Sequence, residues 1–414
     1  MRNLSKSKLV AFRQCPKRLW LEIHRPELAV VSARSEATFR TGHQVGDVAR
    51  KLYDPEGHGS LIDLQAEGVT EALGRTKDLL RLRKPIFEAG FAAEGGLAFS
   101  DVLLPEEGGA WRMVEVKASA SVKDYQRDDV AIQSYIARAA GIELSGVTVA
   151  HINTKWTYPG GGAYGGLLKE ADLTSEALAR HGEVKEWISA AQEVVQSPDA
   201  PGTVPGGQCN EPFECSFTAH CNQGHEQVKF PIQWLPRIQT KALKTHIAEN
   251  LVVDLSQVPP ELLNETQRRV RDCTLTGNAY FDAEGARGDL AKHPPPAFFL
   301  DFETISFAVP IWAGTRPFQQ IPFQFSVHSI DVDGILRDAD FLDLSGDDPS
   351  RSFAERLVAA SGSTEPVFVY NAGFEGARLT DLANRFPGLA KPLLSIKSPV
   401  VDLWPIAQRR NYHS

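Results

Sequence analysis

The chain has 414 residues, 42% of them hydrophobic, with a formal net charge of -8 and five cysteines. That length supports two or three domains with their own cores, and the negative balance excludes a protein coated in basic, nucleic-acid-gripping surface. An odd cysteine count without a secretion signal argues against a disulfide framework and for metal or cluster ligation.

Residues 1–55 read as helices, with Leu9, Phe12, Leu19 and Trp20 near helical spacing. The opening "MRNLSKSKLVAFRQCPKRLW" is polar where a signal peptide needs an apolar stretch, and no apolar run reaches the roughly eighteen residues of a bilayer span. A soluble, cytoplasmic protein without a membrane partner is expected. Residues 1–50 hold ten Lys or Arg against four acids, which suits either a phosphate-contacting surface or a solvated basic helix.

Between 60 and 190 strands and helices mix. "PIFEAGFA" (85–92), "LAFSDVLLP" (97–105), "WRMVEVKAS" (111–119) and "GVTVAHINT" (146–154) read as strands; 128–141 and 175–195 read as helices. In "WRMVEVKAS", Val114 and Val116 take one face, so Glu115 and Lys117 share the other. A hairpin turning in "EEGG" centres near residue 108 and sets Asp101 opposite Glu115. Two opposed carboxylates repel, so a cation is expected between them, and Mg2+ or Mn2+ suits carboxylate oxygens and a phosphate substrate. Lys117 is then placed to stabilise charge developing at a phosphoryl group. Glu88 on the preceding strand and a polar helix face of Gln126, Asp129 and Gln133 accompany the set. The stretch 156–166, "WTYPGGGAYGG", lacks the Lys and Ser/Thr of a phosphate loop and reads as a hairpin loop, with Trp156, Tyr158 and Tyr164 available for base stacking.

The segment 197–221, rich in Pro, Gly and Cys, reads as irregular chain that needs something to order it. Cys209, Cys215 and Cys221 together with Cys15 make four thiolates, which suit a [4Fe-4S] cluster or a structural zinc with His220 or His225 as spare ligands. Cys273 has no partner pattern. Residues 226–295 read as a helical connector whose clearest helix, 259–277, is Pro-primed at its start. Residues 296–414 read as a second α/β domain: "AFFLDFET" puts Asp301 and Glu303 on one strand face, and "PFQFSVHSIDVDG", a helix near 352–361 and "PVFVYNAGFEGARL" follow.

Ser5, Ser7, Leu9, Cys15, Pro16 and Arg18, followed by Glu88, Asp101 and Glu115-x-Lys117, resemble the iron-sulfur RecB-type branch of the PD-(D/E)XK nucleases, over about residues 5–222. The resemblance implies a restriction-endonuclease-like core in residues 1–225, metal on Asp101, Glu115 and Glu88, catalysis by Asp101, Glu115, Lys117 and Gln133, a cluster on Cys15, Cys209, Cys215 and Cys221, and DNA, single-stranded or at ends, as substrate. Asp129 with Gln133, or Gln133 with Tyr135, stands where the family has Gln-x-x-x-Tyr; His43 sits out of the family's His position. Asp301, Glu303, Asn371, Phe374 and Glu375 resemble the DEDD exonucleases of RNase H-like fold, with Tyr370 in place of a His and Glu375 in place of an Asp. That resemblance implies a partial domain in 296–414, short of its last carboxylate helix, with Asp402 before that helix rather than in the ligand set. The pairing of the two resembles a bacterial family of uncharacterised proteins. The class rival is a non-catalytic nucleic-acid-binding scaffold around iron-sulfur or zinc.

Overall fold

Period-2 alternation builds the first sheet. In the strand Gly96–Pro105, Ala98, Ser100 and Val102 are buried while Leu97, Phe99 and Asp101 are less so, because successive side chains leave opposite faces. The computed structural model describes residues 3–30, 33–223, 228–362 and 364–413. It divides into two units, residues 1–225 with 307–319 and residues 226–306 with 320–414. Both are mixed α/β. Residues 226–295, read as a separate connector, fall in the second unit.

The first unit carries a seven-stranded sheet. Its path runs Ser60–Leu61, Ile86–Ala93, Gly96–Pro105, Trp111–Lys117, Leu144–Ile152, Leu168–Asp172, and Leu4–Ser5 lies parallel to Gly96 and Leu97. Trp111–Lys117 and Leu144–Ile152 are parallel, which demands a crossover; the helix Asp124–Ala139 supplies it. This helix buries Val130, Ala131, Ile132, Ile136 and Ala137 in a core shared with Leu103, Met113, Val147 and Val149. The other sheet face buries Phe87, Val102, Val114 and Ala150. Residues 153–167 join two antiparallel neighbours, a hairpin connection. Tyr158 and Tyr164 stack with ring centroids 4.8 Å apart, and Tyr158 is buried.

In the second unit a five-stranded sheet runs Leu336–Leu342, Ile321–Ile330, Ala297–Ile305, Val367–Val369, Val400–Asp402. The first two pairings are antiparallel and the last two parallel. Phe302, Phe325, Phe353, Leu357 and Leu379 form its core. Residues 230–263 bury a small core of their own around Leu243 and Leu255.

Three expectations need correction. The helix read over 259–277 begins at Glu265, not at the prolines. Asn264 accepts from the Gln267 amide and Gln267 answers to the Asn264 amide, a capping box that outcompetes the Pro signal, and Pro260–Leu262 forms only a 3-10 turn. The helix read over 175–195 breaks at Arg180 into Thr174–Ala179 and His181–Gln196. The segment 197–221 is not wholly irregular: Gly207–Cys209 and Thr218–Cys221 are short helical turns.

Candidate functional site

Asp101 and Glu115 meet through the hairpin. Its register pairs Val102 with Val114 and Leu103 with Met113, so one step further Asp101 faces Glu115. The turn is set by Gly108 at φ 74° and Gly109 at φ 97°, a backbone that L side chains adopt at a cost. On the other side, Phe87 pairs with Val102 and Ala89 with Ser100. Glu88 therefore lies across from Asp101, and three carboxylates, Glu88, Asp101 and Glu115, form a row over three adjacent strands. Glu88 is left-handed, φ 59°, a strained conformation for a non-glycine residue of the kind concentrated at functional sites.

The covering helix completes the site. Gln133 donates to Glu115 Oε2 at 2.6 Å, and Lys117 Nζ bridges Glu115 Oε1 and Asp129 Oδ2, both at 2.6 Å. Asp129 and Gln133, one turn apart, thus face the sheet acids together. Tyr135 turns elsewhere, to Glu94 and His181, so the shifted Gln133 and Tyr135 pairing is not realised. Gln126 is a cap: its side chain accepts from the Lys123 amide at 2.9 Å. His43 is exposed, within electrostatic reach of Glu88.

Lys6 is the residue that sequence reasoning missed. Its Nζ lies 2.7 Å from Glu115 Oε1 and 3.5 Å from Asp129 Oδ2. It gets there because Leu4 and Ser5 pair with Gly96 and Leu97, setting the start of the helix Lys6–Gln14 against the acids. No periodicity in the first ten residues signals this.

The charges are unequal in consequence. Burial works against ionised Glu115, but Lys117 and Lys6 outweigh it and hold its carboxyl well below the usual range. Burial, then Glu115, push Asp101 far above that range; burial and Glu115 also raise Glu88. Burial disfavours the two ammonium charges, yet Asp129 and Glu115 around Lys6, and Glu115 and Asp129 around Lys117, keep both lysines protonated. Four carboxylates therefore face two ammoniums. Carboxylates thus outnumber the ammoniums, and burial beside Glu115 favours the protonated forms of Asp101 and Glu88.

Cys15, Cys209, Cys215 and Cys221 line one cavity of about 20 Å³, with Lys17, Arg18, Leu21 and Phe217 in its wall. Cys15 sits at the junction of the helices Lys6–Gln14 and Pro16–His24. Gln14 donates to the Gln208 and Phe213 carbonyls, both at 2.7 Å, tying that junction to the downstream loop. Burial raises the Cys215 and Cys221 thiols while Arg18 and Lys17 pull the other way. His220 is not in the cavity wall; His225 lies outside the described residues. Among the described residues, no three His, Cys, Asp or Glu side chains are placed to hold a single metal ion.

In the second unit Asp301 and Glu303 share an exposed strand face. Glu375, in the first turn of the helix Ala372–Arg385, is 2% exposed and its Oε2 has no hydrogen-bond partner. Burial, Asp301 and Asp402 push its carboxyl up to about 6. Asp402 thus lies within electrostatic reach of Glu375, at the expected place between its strand and the next helix. It also caps the next helix, accepting from the Trp404 amide at 2.9 Å and the Asn371 amide at 3.1 Å.

Residues 298–414 match a family described as "Domain of unknown function (DUF2779)". No curated protein matches the chain. Among solved structures, one described as "Crystal structure of SSO0001" aligns with 48% of this chain and 78% of its own at 14% identity, with a TM-score of 0.25, too low to bear on fold or function.

Proposed function

We propose that the protein is a magnesium- or manganese-dependent DNA nuclease acting on single strands or ends, with a restriction-endonuclease-like first unit and an RNase H-like second unit. The observation that carries this is the row of Glu88, Asp101 and Glu115 with Lys117 beside it. A hard oxygen donor set of clustered carboxylates fits a divalent ion. Asp101 and Glu115 would hold it together with Glu88; the three side chains must close up on the ion, because they are not gathered around one point in the metal-free protein, and when bound it supplies Lewis-acid charge at the scissile phosphate. Gln133 fixes the rotamer of Glu115, Asp129 fixes Lys117, and the Lys117 ammonium is preorganised for charge that develops in the transition state. The test is degradation of labelled single-stranded DNA with Mg2+ or Mn2+; Asp101→Ala and Lys117→Ala should each abolish it, and unchanged rates would refute the assignment.

The four cysteines fit a thiolate-held group. That group is a [4Fe-4S] cluster or a zinc ion, and visible absorbance and iron analysis of anaerobically purified protein decide between them. The second site, Asp301, Glu303 and Glu375 with Asp402, is read as exonuclease-like. The rival, a nucleic-acid-gripping scaffold, draws on one fact: both oxygens of Glu115 already have donors. It predicts DNA binding without cleavage.

A further inference from the structure

Glu115 Oε1 accepts from Lys117 at 2.6 Å and from Lys6 at 2.7 Å. Lys117 has a second carboxylate at the same distance, Asp129 Oδ2 at 2.6 Å, whereas Lys6 is 3.5 Å from that atom. Lys6 is therefore the more weakly held of the two cations. Its backbone is fixed: Leu4 donates to the Gly95 carbonyl at 2.8 Å, and the Ser5 side chain caps the helix by accepting from the Lys8 amide. Its side chain is not sealed in, being 21% exposed against 1% for Glu115. A four-carbon stem from a fixed backbone can swing its ammonium away without moving the fold.

We propose that Lys6 is a tethered counter-ion that occupies the divalent ion's side of Glu115 and is displaced when that ion binds. The inference rests on the nuclease reading of this site. Lys6 balances Glu115 in the metal-free protein, and its bond to Oε1 must break before that oxygen can turn to a metal. Once displaced, the ammonium remains tethered at the mouth of the site, where it meets an incoming phosphate. Lys6 is thus a positioning residue that sets how readily the site loads.

The experiment is direct Mn2+ binding, by electron paramagnetic resonance titration of free Mn2+ at fixed pH and without DNA, on full-length protein. Lys6→Met, which keeps the stem and loses the charge, should bind Mn2+ at least tenfold more tightly than the parent. Lys6→Arg, which keeps the charge, should bind no more tightly than the parent, and Lys8→Met, whose lysine pairs with Glu22 instead, should leave affinity unchanged. Equal or weaker binding by Lys6→Met, with parental binding that Asp101→Asn removes, overturns this inference alone. Absence of Mn2+ binding in both parent and Lys6→Met overturns it together with the nuclease reading. If Lys6→Met unfolds, Lys6→Gln carries the same expectation and the same refutation.

Discussion

Glu115 and Asp101 face each other, yet neutralising them should have opposite consequences for folding. Glu115→Gln removes the negative charge on which two ammoniums converge and leaves Lys6 and Lys117 with Asp129 alone. Removing one partner of a buried ion pair costs about 3 to 5 kcal/mol; because both lysines are about one-fifth exposed, the lower end, about 3 kcal/mol, is expected. For a unit of this size that is a fall in Tm of roughly 6 to 12 °C. Asp101→Asn does little, since the native carboxyl is already neutral and the amide oxygen can still accept from the Val116 amide, now 2.6 Å from Asp101 Oδ2. Its cost should stay within about 1 kcal/mol. The assay is urea unfolding at pH 7 with chelator, with amide hydrogen exchange on Trp111–Lys117 to report the first unit separately. Equal losses from the two substitutions, or a larger loss from Asp101→Asn, would refute the charge assignment even if both abolish cleavage.

Glu375 gives a pH test in the second unit: a carboxyl raised from 4.5 to about 6 contributes stability that is complete below 4.5 and lost as pH rises through 6. Thermal melts from pH 4.5 to 7.5 should show that loss, on the order of 1 to 2 kcal/mol, and Glu375→Gln should abolish it. Cys15→Ser should eliminate the visible absorbance of the thiolate centre and loosen the first unit, because the group closes a loop of about two hundred residues; a variant as stable and coloured as the parent would contradict the four-cysteine assignment. Gly90→Ala should destabilise the first sheet by about 1 to 3 kcal/mol, as the new Cβ would lie 2.6 Å from a Phe99 ring carbon; an unchanged urea midpoint would count against this packing.

What sequence reveals of the site follows the range of each interaction. Asp101 opposite Glu115 was legible because a short Gly-rich turn and strict alternation leave one register. Asp129 with Gln133 was legible as one helical turn. Lys6 was not, since its contact with Glu115 spans 109 residues and depends on a two-residue parallel pairing with no pattern of its own. The fourfold cysteine set could be assembled by count, but its cavity depends on Gln14 gripping a loop nearly two hundred residues away. Asp402 was assigned by its place before a helix; its pairing opposite Val369, at the carboxyl end of the parallel strands, puts it where ligands of open α/β sheets gather.

The two carboxylate sites differ in what balances their charge, and the difference governs what each demands of its ligand. In the first, two lysines and a glutamine are built in, so Glu115 is ionised and oriented before any ion arrives, and binding a metal must compete with that arrangement. In the second, the charges bearing on Glu375 are both carboxylates, Asp301 and Asp402, while Asp301 and Glu303 rely on exposure to water for relief. Burial without a cation is therefore tolerable only for the one residue that can keep its proton. An ion entering there meets no resident ammonium, but it must remove the Glu375 proton. Occupancy of the second site should fall steeply below about pH 6, whereas at the first an incoming ion must remove the Asp101 proton as well as displace Lys6.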